Sequence, residues 1–127
     1  MAVFPVDEAA RIAALNRYAI LDTPPEQKFD RITRMVSDIC EAPIALISLI
    51  DSERQWFKSH LGMDATETPR DIAFCDHTIR EDDLFIVPDA SADDRFRDNP
   101  LVMGPPYIRT YIGAVLMTKD GYRVGAL

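Results

Sequence analysis

The sequence predicts an α+β fold built on an antiparallel sheet, and three observations carry that prediction. Residues 43–50 (PIALISLI) are apolar at successive positions, so a strand there needs cover on both faces. Turn signals at residues 51–54 (DSER) and 119–122 (KDGY) join neighbouring strands as hairpins, and Asp120-Gly121 is the strongest short hairpin signal in the chain. Helical patterns come before and between the strands without the regular alternation of a parallel α/β sheet. The 127 residues, 47% of them hydrophobic, suit one domain with one core. There is no internal repeat, low-complexity segment or linker.

The first element is a short amphipathic helix over residues 7–18. Asp7 can cap its first turn, and Ile12, Leu15 and Ala19 recur at helical spacing. A second helix start is read at Thr23-Pro24-Pro25-Glu26, a capping box with proline at the first helical position. The apolar stripe Phe29, Ile32, Met35, Val36 and Ile39 follows, ending near Cys40 before Pro43. The central strand 43–50 is next, and residues 55–60 (QWFKSH) form the returning strand. After a loop ending in residues 68–71 (TPRD), residues 73–79 (AFCDHTI) read as a short helix, 84–87 (LFIV) as a strand and 91–94 (SADD) as a small helix start. Residues 107–118 read as a long strand and 123–127 as its partner. The turn at Asp120-Gly121 lies between them.

Composition excludes several function classes. Fourteen Lys plus Arg against twenty-one Asp plus Glu give a formal charge of -7, without the basic footprint that nucleic acid or anionic lipid requires. The longest apolar run, residues 43–50, is far shorter than the roughly 20 residues of a spanning helix. The N-terminus lacks a basic region followed by an apolar one. Cys40 and Cys75 are too few and too isolated for a disulfide framework. A cytoplasmic protein, or the cytoplasmic part of a larger one, is expected, with neither nucleic acid nor membrane as a partner.

The segments LDTPPEQKFDRIT, PIALISLIDSERQWFKSHLG, TPRDIAFCDHTI, VPDASADDRFRDNPLV and IRTYIGAVLMTKDGYRVGAL, in that order, resemble a GAF domain. The subgroup they resemble is found at the N-terminus of bacterial sensor histidine kinases and diguanylate cyclases. The resemblance implies a PAS-related antiparallel sheet with helices on one side and, on the other, a pocket roofed by loops and short helices. It names no cofactor and no particular ligand, since the family binds cyclic nucleotides, bilins, haem, amino acids or other metabolites. Family members run on through a last strand into a C-terminal helix that leads to an output domain, so residues 1–127 read as a single GAF domain truncated before that end. Neither a kinase domain nor the cyclase Gly-Gly-Asp/Glu-Glu-Phe signature occurs, and the chain is expected not to be an enzyme itself.

Cys75 and His77 are the chemically versatile pair in the middle of the chain. On a helix, side chains two apart point roughly 200° from each other, so the two cannot face one ligand. Cys75 groups with Ile72 and Ile79 on an apolar face and reads as a small buried hydrophobe. His77 groups with Phe74 and reads either as pocket lining or as a hydrogen-bonded structural histidine. Bilin-binding GAF domains place histidine directly after the anchoring cysteine, whereas here Asp76 intervenes. The free methionine sulfoxide reductases, which are GAF enzymes, use several nearby cysteines, and Cys40 with Cys75 makes that relay incomplete. No Cys-x-x-Cys or His-x-x-x-His spacing supports a metal, and the acidic runs at residues 81–83 and 93–94 read as solvated loops and helix starts.

Along the long strand, alternation places Tyr107, Arg109, Tyr111, Gly113 and Val115 on a cavity face and Ile108, Thr110, Ile112, Ala114 and Leu116 in the core. Two aromatics, a cation and a glycine suit the floor of a site for a small polar or anionic ligand. The competing reading is a solvated face with Arg109 paired to Asp89. Asp93, Asp94, Arg95 and Phe96 resemble the family segment edging the pocket, and Phe96 can cap a ligand from above. Trp56, sharing a face with Lys58 and His60, is expected to pack on a helix or a second subunit. The candidate ligand residues are therefore Phe74, His77, Asp89, Phe96, Tyr107, Arg109 and Tyr111. Together they point to a sensory or regulatory module for an unidentified small molecule, working on an attached or partner signalling output domain, and a homodimer is expected. The alternative is a ligand-free dimerisation module whose own side chains fill the pocket.

Overall fold

The computed structural model describes residues 7–127. In chain order its regular elements are α1 Glu8–Arg17, α2 Gln27–Cys40, β1 Ala45–Ile50, β2 Arg54–Leu61, β3 Glu67–Pro69, α3 Cys75–Thr78, β4 Phe85–Val87, α4 Pro100–Met103, β5 Tyr111–Gly113, β6 Val115–Met117 and β7 Arg123–Ala126. Short 3-10 turns occupy Arg70–Ile72 and Ala90–Ala92. The main sheet is antiparallel throughout, in the order β3-β2-β1-β7-β6, and β4 pairs with β5 in a separate two-stranded sheet. The α+β fold is thus observed, with both expected hairpins and with the doubly apolar strand at the centre. α1 packs on β7, and α2 packs across β2 and β1 on the same face. α3 lies on the opposite face, against β1 and β7.

Asp7 caps α1 as expected, accepting from the Ala10 N–H at 3.0 Å. Leu15 is buried with Leu49, Trp56 and Val124, which places Trp56 under a helix. Ala19 does not extend the stripe, because it lies past the helix end at positive φ and is exposed. The buried polar member of α1 is Arg11, whose guanidinium donates to Ile50 O at 2.8 Å and Arg123 O at 3.3 Å and ties the helix to the ends of β1 and β7.

The expected capping box at Thr23 is not formed. α2 starts three positions later, with Glu26 at its N-cap and no side-chain cap. Pro24 and Pro25 disfavour helical geometry in the residues before them. The Thr23 hydroxyl instead accepts from Lys58 Nζ at 2.6 Å. Lys58 reaches this position because the β1–β2 register shifts between Ile47 and Ser48, a bulge that sends both Lys58 and Ser59 toward α2. All three Lys58 protons are used, by Thr23, by Pro24 O at 2.7 Å and by Glu26 at 2.7 Å. Ser59 meets Asp30 at 2.6 Å and Thr33 at 2.9 Å. A polar seam therefore holds α2 to the sheet, and the apolar residues expected to do so point elsewhere: Ile32, Met35 and Ile39 are exposed.

The expected long strand over residues 107–118 is broken into two. β5 belongs to the small sheet and β6 to the main one, and between them Ala114 exchanges both backbone hydrogen bonds with Leu127. Tyr107 lies outside any strand at φ 59, and Ile112, assigned to the core by alternation, is exposed opposite Ile86. The expected helix start at residues 91–94 is only the 3-10 turn Ala90–Ala92, capped by Asp89. In β7, a Cβ on Gly125 would lie 1.9 Å from Ser48 O, so only glycine allows this strand to pair with β1.

Candidate functional site

The layer over the free face of the sheet is an aromatic cluster. α3 contributes Phe74 from its N-cap and His77 from its single turn, β4 contributes Phe85, the loop after the Ala90–Ala92 turn contributes Phe96, and β5 contributes Tyr111. Phe74 and Phe96 stack at 4.2 Å between ring centroids, Phe74 and Tyr111 lie 5.1 Å apart, and His77 meets Phe96 edge-on at 4.8 Å and stacks on Phe85 at 5.9 Å. Burial among these rings pushes the His77 imidazole below its ordinary value, so it packs as a neutral ring.

Polar atoms form the floor beneath these rings. The Tyr111 hydroxyl lies 2.8 Å from Thr78 Oγ1 and 3.2 Å from the Cys75 thiol. Gly113 makes room for this contact, since a Cβ there would meet the Tyr111 hydroxyl at 2.3 Å. Burial drives the Tyr111 hydroxyl and the Cys75 thiol upward from their ordinary values, so both remain protonated. On the same face, Ser48 Oγ is buried beside the Cys75 thiol, and Gln55, whose Nε2 donates to Thr68 Oγ1 at 2.9 Å, has its Oε1 buried with no partner among the described residues. The floor thus offers neutral donors and acceptors.

Cys75 is buried as expected, with Ile50, Ala73, Ile79 and Ala126; Ile79 is one of the two partners read from the sequence, while Ile72 lies in the preceding 3-10 turn, only partly buried and outside this cluster. Cys40 is exposed at the end of α2, on the other side of the sheet. One thiol per chain should therefore react promptly with Ellman's reagent and the second only on unfolding, as stopped-flow absorbance with and without denaturant would read. Two fast thiols in the folded protein would show that Cys75 is accessible.

Of the candidate ligand residues, the structure brings Phe74, His77, Phe96 and Tyr111 together. Asp89 and Arg109 lie at an edge, where Ala90 N donates to Arg109 O across the chain crossing. Asp89 is held below the usual carboxylate range chiefly by its hydrogen bonds from Ser91, with Arg109 adding a smaller attraction, and no ion pair joins the two. Arg109 donates to Val102 O at 3.1 Å and Ile108 O at 3.0 Å, and Tyr107 is exposed. The sequence reading placed Arg95 with Phe96 in the segment edging the pocket but gave it no role; its guanidinium lies 5.0 Å from the Phe85 ring centroid and 5.4 Å from that of Phe96 while pairing with Asp93. That reading missed Ser48 and Thr78, although Ser48 is the single polar residue in PIALISLI and could have been noticed for that reason. Among the described residues no group of three His, Cys, Asp or Glu side chains is arranged for a metal.

A cleft of about 590 Å³ opens on the helix-bearing face between α2 and β2, lined in part by Asp30, Thr33, Arg34, Trp56 and Lys58. Its buried cation is already saturated by Thr23, Pro24 and Glu26.

A family model for the GAF domain matches residues 24–127. The chain belongs to the GAF domain family. This GAF domain is 41% identical over 124 residues to a cyclic di-GMP phosphodiesterase of Pseudomonas aeruginosa, an alignment covering 98% of the chain and 21% of that protein. The chain thus spans about a fifth of that relative's length. Among solved structures, it resembles a type II free methionine-R-sulfoxide reductase from Thermoplasma acidophilum with a TM-score of 0.62 at 10% identity, over 88% of this chain and 73% of that one. It also resembles a GAF domain of A. aeolicus in an inactive state, with a TM-score of 0.60 at 7% identity, over 93% of this chain and 75% of that one. At such identities the GAF fold is what is shared. No helix among the described residues is long and apolar enough to cross a membrane.

Proposed function

We propose that this GAF domain is the small-molecule-sensing, regulatory part of a bacterial signalling protein, with its ligand admitted between the free sheet face and the aromatic layer. The observation that carries the reading is the polar face beneath the rings: the hydroxyls of Thr78 and Tyr111 meet there, Ser48 Oγ has only the Cys75 thiol beside it, and Gln55 Oε1, on the same face, is buried with no partner among the described residues. An unpaired buried polar atom costs about 1–3 kcal/mol, which a ligand group would recover. Phe96 and His77, carried on α3 and a loop, are the groups a flat ligand would displace, and Arg95 and Arg109 at the edge suit an anionic substituent. The likeness to a cyclic di-GMP phosphodiesterase supports an attached output that acts in cyclic di-GMP turnover, by a phosphodiesterase or a diguanylate cyclase, over a histidine kinase. Occupancy would reorder α3 and shift the helices across the sheet. A second reading, a ligand-free interaction module, is favoured by the close stacking of Phe74 on Phe96, which fills the space with the domain's own side chains.

The two readings separate in thermal melts against a panel of nucleotides, cyclic nucleotides and amino acids. A true ligand at 100 times its dissociation constant adds about 2.7 kcal/mol to stability. Arg109→Ala, at an exposed position, is expected to leave the ligand-free melt unchanged and weaken the response to an anionic ligand. A panel that moves nothing, with Phe96 rigid in solution, would favour the interaction module.

A further inference from the structure

Three consecutive residues of α3 serve three different surroundings. Cys75 lies 3.2 Å from the Tyr111 hydroxyl in the polar floor, His77 is held among the rings of Phe85 and Phe96, and Asp76 between them reaches the rim of the sheet. There its two carboxylate oxygens accept from Arg70 Nε at 2.9 Å and from Arg80 at 2.8 Å. Arg70 donates onward to Glu8 at 2.6 Å, and Glu8 also receives Arg11 at 2.8 and 2.9 Å. Side chains of alternating charge, Arg80, Asp76, Arg70, Glu8 and Arg11, thus run from the aromatic layer on one face to the first turn of α1 on the other. Arg70 is 6% exposed and Arg11 1%, so salt and water screen this row poorly. α2 shares the face of α1 but is held instead by Lys58 and Ser59 of β2.

We infer that Asp76 and Arg70 couple the position of α3 to the order of α1, so that a displacement in the aromatic layer is felt at α1 and not at α2. This narrows the helix shift proposed above to one helix and one route. The geometry of the guanidinium supplies the reason. Arg70 presents Nε to Asp76 and Nη1 to Glu8 from a single rigid plane, so Asp76 fixes the direction in which Nη1 reaches Glu8. When α3 withdraws, the plane is released, the Glu8 contact weakens and the first turn of α1 loosens. Asp76 is therefore a positioning residue, acting through Arg70. That a ligand is what moves α3 rests on the function proposed above, whereas the coupling is a property of the fold and is measurable without one.

Amide hydrogen exchange of the whole chain, read by mass spectrometry on peptides covering α1, α2 and β1, tests this without any ligand. His77→Ala opens space in the layer and leaves the rim residues in place. It is expected to speed exchange in α1 by about fivefold, with α2 and β1 changed by less than about twofold. Arg70→Lys keeps a cation at the rim but replaces the fork by one ammonium, and Asp76→Ala removes the link on the α3 side. Each is expected to loosen α1 by itself and to cut the further effect of His77→Ala on α1 to below about twofold. With two independent blocks, the test survives the loss of either variant to misfolding, which far-UV circular dichroism reads. Equal acceleration in α1, α2 and β1 would mean that His77 acts only through overall stability, and would overturn the inference. So would an α1 that His77→Ala leaves unchanged, or one that still responds fully when Arg70 or Asp76 is replaced, since the coupling would then pass through the packing of α3 on β1 and β7. The thermal melts fail separately: a panel that moves nothing, beside a blocked exchange response, removes the ligand and keeps the coupling.

Discussion

Phe96→Ala is expected to lower the unfolding free energy by about 3–5 kcal/mol, the largest effect of any single truncation in the aromatic layer. Phe96 is 1% exposed and is the hub of the cluster, stacked on Phe74, met edge-on by His77, tilted against Phe85 and covered by Arg95. Its removal takes away the buried area of a large ring and the partners of three others. Because it sits on a loop held by the 3-10 turn Ala90–Ala92, the surroundings can collapse only in part. Urea unfolding monitored by Trp56 fluorescence gives the number. A loss below about 1 kcal/mol would mean that the ring spends much of its time outside the layer in solution and is not its hub.

Arg70→Met is expected to cost about 3 kcal/mol at neutral pH, at the low end for removing one partner of a buried pair because Glu8 keeps some solvent access. Arg70 lies at the rim of the sheet and joins its two faces: it donates to Glu8 of α1 at 2.6 Å and to Asp76 of α3 at 2.9 Å. Glu8 also receives Arg11 at 2.8 and 2.9 Å. Burial alone would raise the Glu8 carboxyl, but the two guanidiniums outweigh it and lower the group from 4.5 to about 2. A carboxyl lowered on folding stabilises the protein above its unfolded value, and that stability is lost as pH falls through the folded one. The difference between wild type and Arg70→Met should therefore be full above pH 4.5 and narrow steadily toward about pH 2. Denaturant midpoints at a series of pH values measure it. A difference that stays constant with pH would assign the effect to packing of the Arg70 stem rather than to its charge. This bridge is also a direct polar connection between the layer that holds His77 and the helix on the opposite face, so the same variant should loosen any coupling between them.

Much of this architecture is written in short stretches of sequence. Asp7 announces α1 because a cap is a contact across three residues, and Asp120-Gly121 announces its hairpin because positive φ is a property of the turn itself. The doubly apolar run at residues 43–50 marks β1 as central, since only a strand covered on both faces can afford such a pattern. Helical spacing alone separates Cys75 from His77 and sends the first into the core and the second toward Phe85 and Phe96. In each case the deciding interaction is local.

Other features depend on residues far apart in the chain. The apolar spacing of α2 marks a stripe but not its neighbour: the bulge opposite Ile47 and Ser48 turns Lys58 and Ser59 toward the helix, and their polar contacts with Thr23, Glu26, Asp30 and Thr33 rotate Ile32, Met35 and Ile39 outward. Alternation over residues 107–118 likewise cannot tell one strand from two, because a period of two is the same whichever sheet supplies the partner. The crossing at Ala114, which pairs with Leu127, breaks the pattern, exposes Ile112 and leaves Arg109 at an edge. The polar floor of Ser48, Cys75, Thr78 and Tyr111 is assembled from β1, α3 and β5. Sequence by itself determined the elements, the central strand and the family resemblance, because these rest on contacts within a few residues. Only the tertiary structure decided which faces are covered, since that depends on strand register and on hydrogen-bond partners supplied from distant segments.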